Sequence, residues 1–437
     1  MAGGYSDARI GPIDGCSVAT GGLMRRFASV VGTLLLLIGP PLTGRADAAA
    51  AGITLDGTKI TGAATSSGAP KIKPGAWLID SPVGDDAAYF LVPRSVSNST
   101  LRVGAALQPR QESAGIELSL LSVQDQRDCG STSESASYGD WSGGLVTLAV
   151  TSRAADRDAA CQSDDSLLLE VTASGTAKSP HTTRVRLVVS EEPPTKHTAD
   201  LPDTAPDTQT WTSLPPTGKA SSVTPGHAFS DAPELADGFH SASITPGDSQ
   251  LYRVHLGWGE QVRAEVRMPK LGSSSGLSSS LTSFRVRLLG PTLADASADA
   301  KEGDGDTISG SAYLQADAEA RARAMTAPVR YRNVASSADG VAGASIPGDY
   351  YLLVEAAPNA KGATPKLRYD LVTAVTGKAG SGRPEYVGGD LVIGGQSATG
   401  PGPLRLASAG VLGAAGLASL IAAAALVVRR RRLGSAG

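Results

Sequence analysis

Leu251–Pro269 reads LYRVHLGWGEQVRAEVRMP. Tyr252, Val254 and Leu256 alternate with Arg253 and His255, and Val262, Ala264 and Val266 alternate with Arg263 and Glu265. Gly257-Trp258-Gly259 turns the chain between the two runs. A strand sends successive side chains to opposite faces, so each run has one apolar and one wet side. The alternation recurs outward from this stretch, at Phe284, Val286 and Leu288, and at Leu101, Val103, Ala105 and Leu107. Roughly six to nine such runs per unit, separated by Gly, Pro and Asp turns, predict a sandwich of two antiparallel sheets. The bulk composition agrees. With 4% aromatic and 19% charged residues and abundant glycine, short strands and small-residue turns are expected over long helices.

The chain repeats itself. Ala69-Pro70-Lys71-Ile72-Lys73-Pro74-Gly75 matches Ala232-Pro233-Glu234-Leu235-Ala236-Asp237-Gly238. Tyr89 matches Tyr252, and LRVGAALQP ending at Pro109 matches QVRAEVRMP ending at Pro269. DSLLLEV from Asp165 aligns with DYYLLVE from Asp349, and RVRLVV from Arg184 with RYDLVT from Arg368. A fixed order of landmarks on either side of a break indicates two copies of one unit. The break, residues 190–224, is rich in Pro, Thr and Asp and has no periodicity that could bury a face, so a semi-extended linker is expected. Residues 378–405, rich in Gly and Pro, are expected to form a similar stalk. The expectation is a mostly β chain with two tandem antiparallel, jelly-roll-like β-sandwich domains, over 52–189 and 225–377.

APELADGFHSASITPGDSQLYRVHLGWGEQVRAEV resembles the opening of β-sandwich domains of the pre-peptidase C-terminal type, and IPGDYYLLVEA, Ile346–Ala356, resembles their close. The whole layout resembles membrane-anchored surface proteins of high-GC Gram-positive bacteria, in which such units follow a von Willebrand A domain. The metal motif of that domain, D-x-S-x-S, is absent from this sequence. The resemblance implies a fold and a location. It carries over no catalytic residue.

Both ends address a membrane. Within residues 1–48, Met24-Arg25-Arg26 opens a basic region, Phe27–Ile38 is apolar, and Ala46-Asp47-Ala48 supplies small residues for cleavage. These are the three parts of a secretory signal peptide over 24–48, with export by the ordinary route expected. Leu406–Val428 is an uncharged stretch of roughly 23 residues, long enough to cross a bilayer as a helix. Arg429, Arg430, Arg431 and Arg432 open a basic tail, 429–437, that stays cytoplasmic. One transmembrane helix of type I topology is therefore expected, with the ectodomain outside the cell. Leu214-Pro215-Pro216-Thr217-Gly218 fits the sortase pattern, but no hydrophobic segment and basic tail follow it at once. The helix is the expected anchor.

Chemistry is scarce. A net charge of −3 offers no basic field to nucleic acid. Of three cysteines, Cys16 lies in the leader, and Cys129 and Cys161 read as one disulfide in an exported chain, with two buried free thiols as the other reading. Glu302, Asp304 and Asp306 in KEGDGDTISG place carboxylates at alternate positions. Such spacing suits a hard cation such as Ca²⁺, or a solvated acidic turn. Trp141 in GDWSGG and Trp258 in LGWGE sit in turns, where they either grip a partner or cap the end of a sandwich. The five histidines, His181, His197, His227, His240 and His255, match no metal spacing and read as surface residues. No nucleophile with its base is visible and no cofactor is implied. The expectation is a non-enzymatic cell-surface protein that binds an exported protein or a wall polysaccharide. An accessory or processing module for an exported hydrolase is the alternative.

Overall fold

The computed structural model describes residues 52–80, 86–109, 114–136, 144–152, 159–174, 184–271, 282–303, 305–359 and 365–397. The expected signal peptide, the expected membrane helix 406–428 and the basic tail lie outside them. No helix among the described residues is long and apolar enough to cross a membrane.

The first unit is built from β1 (Gly75–Asp80), β2 (Ala87–Pro93), β3 (Thr100–Leu107), β4 (Gly115–Ser122), β5 (Asp128–Ser135), β6 (Val146–Thr151), β7 (Ser166–Ser174) and β8 (Arg184–Glu192). The second is built from β9 (Gly238–Ile244), β10 (Ser249–Leu256), β11 (Glu260–Met268), β12 (Ser283–Leu289), β13 (Ser311–Tyr313), β14 (Ala320–Met325), β15 (Gly348–Ala356) and β16 (Leu367–Gly377). In each unit the strands divide into two antiparallel sheets. Sheet A of the first unit runs β1-β8-β3-β6, and sheet B runs β2-β7-β4-β5. The second unit repeats this order strand for strand, as β9-β16-β11-β14 and β10-β15-β12-β13. Even the additions match. Thr58–Lys59 runs parallel beside β1 and Ser221–Ser222 runs parallel beside β9.

Alternation places the cores. Leu101, Val103, Ala105 and Leu107 join Phe90, Leu118, Leu169 and Leu187 between the sheets of the first unit. Tyr252, Val254, Leu256, Val262, Ala264 and Val266 do the same in the second, with Phe284, Val286 and Leu288.

The ladders also correct the alignment read from the sequence. Ile72 donates its amide to Leu91, and Leu235 to Arg253, so Pro70/Pro233 and Gly75/Gly238 are true equivalents. The edge bridges then pair Leu91 with Arg253 and Tyr89 with Leu251. The counterpart of Tyr252 is therefore Phe90, both fully buried, and not Tyr89, whose hydroxyl reaches Glu170 on the outer face. The β3/β11 and β7/β15 matches move by one residue as well: Val103 faces Val189 as Ala264 faces Thr373, and Thr172 occupies the place of Glu355. A one-residue slip exchanges the two faces of a strand.

The segments expected as linker and stalk are extended, but both are fastened to the sandwiches. In 190–224, Thr195–Lys196 pairs with Glu385–Tyr386, and Thr208–Trp211 pairs with Asp299–Glu302. Trp211 and Leu214 are buried with Met325, Val372 and Ala300 on the outer face of sheet A of the second unit. Arg267 and Arg263 hold the carbonyls of Leu214 and Thr212 at 2.7 and 2.8 Å. In the expected stalk, Leu391 enters the core of the second unit, while Val392–Ile393 adds to β8 of the first. A few buried anchors suffice to pin a segment that has no apolar periodicity of its own.

Candidate functional site

The two sandwiches meet face to face. The outer side of sheet A in the first unit, with Leu78, Ala106 and Val188, packs on the outer side of sheet B in the second, with Leu251, Leu289 and Leu353. Ile53 and Leu55 enter the same cluster from the N-terminal side, and Thr54 donates its amide to His227 at 2.7 Å. These sides were expected to be wet. They are dry because each covers the other, so strands such as β3 are buried along both faces.

Gly104 marks the closest approach. A Cβ there would stand 1.6 Å from the Thr292 carbonyl oxygen. Next to Thr292, Leu293 is fully buried in the shared cluster with φ +65°, a conformation a branched side chain adopts only where packing imposes it.

Polar groups lock the contact. Leu145 of the first unit donates its amide to Glu355 at 3.0 Å, and its carbonyl accepts from Arg287 at 2.6 Å. The other Glu355 oxygen takes Arg285 Nε at 2.6 Å. Burial works against the Glu355 charge, but Arg285 and Arg287 outweigh it and hold the carboxyl below its ordinary range. Arg102, paired with Glu192 at 2.6 Å, also reaches Ser345 at 3.1 Å. Asp56 pairs with Arg186 and accepts the Ser230 amide, and Arg186 lies 4.8 Å over the Phe229 ring.

The residues singled out from the sequence fall in several places. Cys129 and Cys161 are joined as a disulfide that ties β5 to the short helix Ala159–Ser163. Arg94 beside it donates to the carbonyls of Cys161, Asp164 and Ser99. Trp258 is corrected as a binding-loop residue. It is 5% exposed and packs in the core of the second unit, as the capping reading expects, in a turn whose Gly259 has φ +78°. Trp141, Asp304 and His181 lie outside the described residues, as do Leu406, Val428 and Arg429 to Arg432. Of the cation candidates, Glu302 gives an oxygen to Arg323 at 2.8 Å, and Asp306 is exposed. Among the described residues no group of three metal-ligating side chains is assembled. Leu214 of the sortase-like pentapeptide is buried, which withholds the first position of that motif.

Histidine positions were read too simply. His240 is 9% exposed and structural. Its Nε2 lies 2.9 Å from the Ala236 carbonyl, the same bond that the Trp77 indole makes to Lys73 in the first unit. Nε2 therefore carries the proton, and Nδ1 accepts from Ser221 Oγ at 2.8 Å. The recurrence of the ring-to-carbonyl spacing in both copies was the signal for this role. His255 pairs with Asp349 at 2.9 Å.

The outer side of sheet B in the first unit is the counterpart of the docking face just described. At its β4–β5 edge a depression of about 340 Å³ is lined by Glu117, Ser133, Ser135 and Thr172, and by Ile116 and Glu134 from the alternate positions. The next row along the strands is Tyr89, Glu170 and Ser119, where the second unit has Leu251, Leu353 and Arg287.

No family model and no curated protein matches the chain. Among solved structures it is similar to a CUB1–EGF–CUB2 segment of human MASP-1/3, at 9% identity over 68% of this chain and 99% of that one, with a TM-score of 0.15. A tandem CBM22 pair from Paenibacillus barcinonensis Xyn10C matches at 7% identity, over 68% and 84%, with a TM-score of 0.17. The M60 catalytic domain with two CBM51 domains from Clostridium perfringens ZmpB matches at 10% identity, over 67% and 34%, also at 0.17. Likenesses at that level carry nothing about ligand or activity.

Proposed function

We propose that the chain is a non-enzymatic protein of the bacterial cell surface, anchored with type I topology, whose two β-sandwiches act as one rigid block that binds an exported protein or an envelope component. One observation carries the reading: the shared cluster of Leu78, Ala106, Val188, Leu251, Leu289 and Leu353, which makes the contact between units a core and not a hinge. Inter-domain contacts that must move are smaller and more polar. A rigid block holds its remaining faces at fixed angles, which suits presentation to a partner. The Cys129–Cys161 disulfide fits an oxidising compartment.

The test uses intact cells carrying the full chain. Externally added protease should release fragments from 52–397, and Cys129 and Cys161 should resist a thiol reagent until reduced. Reversible crosslinking of the same cells should join the chain saturably to another envelope component. Protection of 52–397 in intact cells, free thiols, or the absence of any saturable adduct would sink the proposal.

A further inference from the structure

One connection differs in length between the units. Residues 123–127 join β4 to β5 in the first, and residues 290–310 join β12 to β13 in the second. The longer connection is a belt from one sheet of the second sandwich to the other. It starts in the seam between the units, where Thr292 meets Gly104 and Leu293 lies in the shared cluster. It reaches the outer face of sheet A, where Asp299–Glu302 pairs with Thr208–Trp211 and where Ala300 and Ile308 pack with Trp211 and Leu214.

The belt has no slack between these points. Ala296 donates its amide to Leu288 on sheet B, and Ala298 to Met325 on sheet A, both at 2.8 Å. The one-turn helix Asp339–Ala342 lies against it. A Cβ on Gly343 would collide with the Asp295 carbonyl, and one on Gly340 with the Ser297 carbonyl, the same kind of contact as Gly104 makes with Thr292. Backbone meets backbone at all three places. No rotamer can absorb a shift there, so close-packed elements transmit it. Leu293 holds φ +65° in this setting, a strain that persists only where its surroundings impose it.

A second route leaves the same linker. Ala205 donates its amide to Asn333 Oδ1 at 2.9 Å, and the fully buried Asn333 donates to the Ala344 carbonyl at 2.9 Å. Ser345, the next residue, accepts from Arg102 of the first unit at 3.1 Å. Ala205 also packs with Ala298 of the belt and with Val341 and Ala344. Both routes therefore run from the linker to the outer side of β3, at Gly104 and at Arg102.

We propose that the linker segment 205–214 is a latch: its seating braces the belt and Ser345 where they receive β3, and lifting it opens the seam between the sandwiches. The inference rests on the rigid-block part of the functional reading and names the piece of chain that controls it. The latch is lightly held. It has four strand pairs, carbonyl bonds from Arg263 and Arg267, and the Arg323 guanidinium 5.6 Å over the indole. The Trp211 Nε1 is buried with no acceptor among the described residues, which subtracts from the hold.

The experiment is hydrogen–deuterium exchange on the full chain, read by mass spectrometry on peptides carrying Leu145, whose amide crosses the seam to Glu355. Trp211→Ala and Leu214→Ala are compared with wild type, with exposed Thr212→Ala and core Trp258→Ala as controls. The Leu145 peptide should exchange at least tenfold faster in Trp211→Ala, and faster in Leu214→Ala, while β10 and β15 stay protected and Thr212→Ala keeps the wild-type rate. Where Trp211→Ala alone loses the protection of β10 and β15, Leu214→Ala decides. Leu145 protected as in wild type in both latch variants overturns the latch and leaves the rigid block standing. An equal acceleration in Trp258→Ala also overturns it, since any weakening of the second unit would then open the seam. So does acceleration seen only with loss of β10 and β15 protection. Free exchange of Leu145 in the wild type sinks the rigid-block reading itself.

Discussion

Gly104→Ala should separate the two sandwiches without unfolding either. The glycine is required by closeness, because the new Cβ would lie 1.6 Å from the Thr292 oxygen and 2.6 Å from its carbon. Real Cβ contacts stay above 3.0 Å, so the sheets must part by about 1.4 Å (3.0 less 1.6 Å). Both clashing atoms belong to backbone, so no rotamer can relieve the contact. Parting by that distance takes the Leu145–Glu355 and Arg102–Ser345 bonds, at 3.0 and 3.1 Å, out of hydrogen-bond range. Bonds to charged groups are worth about 1.5–3 kcal/mol each, so the docking should lose about 3–6 kcal/mol. Gaps of about 0.5–1 Å already forfeit a quarter to a half of the dispersion attraction, which adds to the loss across the shared cluster. Each core should survive, because Val103 and Ala105 point away from the clash into their own sandwich. Calorimetry should therefore show the wild-type block melting as one transition and the variant as two. The Leu145 amide should exchange far faster in the variant, and small-angle scattering should show a larger radius of gyration. Gly305→Ala, where nothing lies within 4 Å, is the control. A single unshifted transition with a protected Leu145 amide in Gly104→Ala would refute the reasoning.

Acid should loosen the same interface. The folded Glu355 and Asp349 carboxyls both sit below their ordinary values, Asp349 chiefly through the hydrogen bond from His255. A depressed carboxylate contributes stability above its unfolded pKa of about 4, and that contribution drains away as pH falls through the folded value. Melting temperature should thus hold from neutrality to about pH 5 and fall below about pH 4, less steeply in Glu355→Gln, whose Arg285 and Arg287 are left unneutralised at every pH. Removing the disulfide by Cys129→Ser with Cys161→Ser, which opens a loop of 32 residues, should cost about 3–4 kcal/mol on the chain-entropy estimate. The loss should appear in the first-unit transition alone once the units are undocked by Gly104→Ala. Trp258→Ala should cost about 3–5 kcal/mol in the second unit, as for a large aromatic cut from a core, and should leave reversible crosslinking to the envelope unchanged. A stable Trp258→Ala that lost a partner would restore the tryptophan as a contact residue.

Alternation and repetition made the sandwich and its duplication readable, because both are properties of single strands. Tyr252, Val254 and Leu256 face one core for the reason visible in the stretch itself. The docking of the units was written less clearly, though not invisibly. Leu353 stands between Leu352 and Val354, Val188 between Leu187 and Val189, and Leu289 follows Leu288. Strands apolar on both faces are buried on both faces, and these runs share that pattern. In β3, LRVGAAL has Arg102 as its one polar marker of phase and is otherwise apolar or glycine on both sides, and it is one of the places where the repeat alignment slipped. The linker misled for another reason. Absence of periodicity excludes a buried face, but Trp211 and Leu214 needed only two isolated pockets on a neighbouring sheet.

The interface also shows why two units of identical topology differ where they do. A buried cluster such as Glu355, Arg285 and Arg287 adds little net stability, since desolvation cancels much of its attraction. What it adds is a preferred geometry, because Glu355 and Arg287 bond the Leu145 amide and carbonyl only when that loop lies between them. The apolar contacts around Leu251 and Leu353 tolerate sliding, whereas the Leu145 bonds and the Gly104 contact do not. Orientation and affinity are therefore assigned to different residues within one face. The first unit changes both sets: Tyr89 and Glu170 stand for Leu251 and Leu353, and Glu117 and Ser119 for Arg285 and Arg287. An end that served only to close the array would be expected to turn polar throughout, as terminal repeats do. The exchange of Leu353 for Glu170, of Leu251 for Tyr89 and of Arg287 for Ser119 moves the first unit's face in that direction.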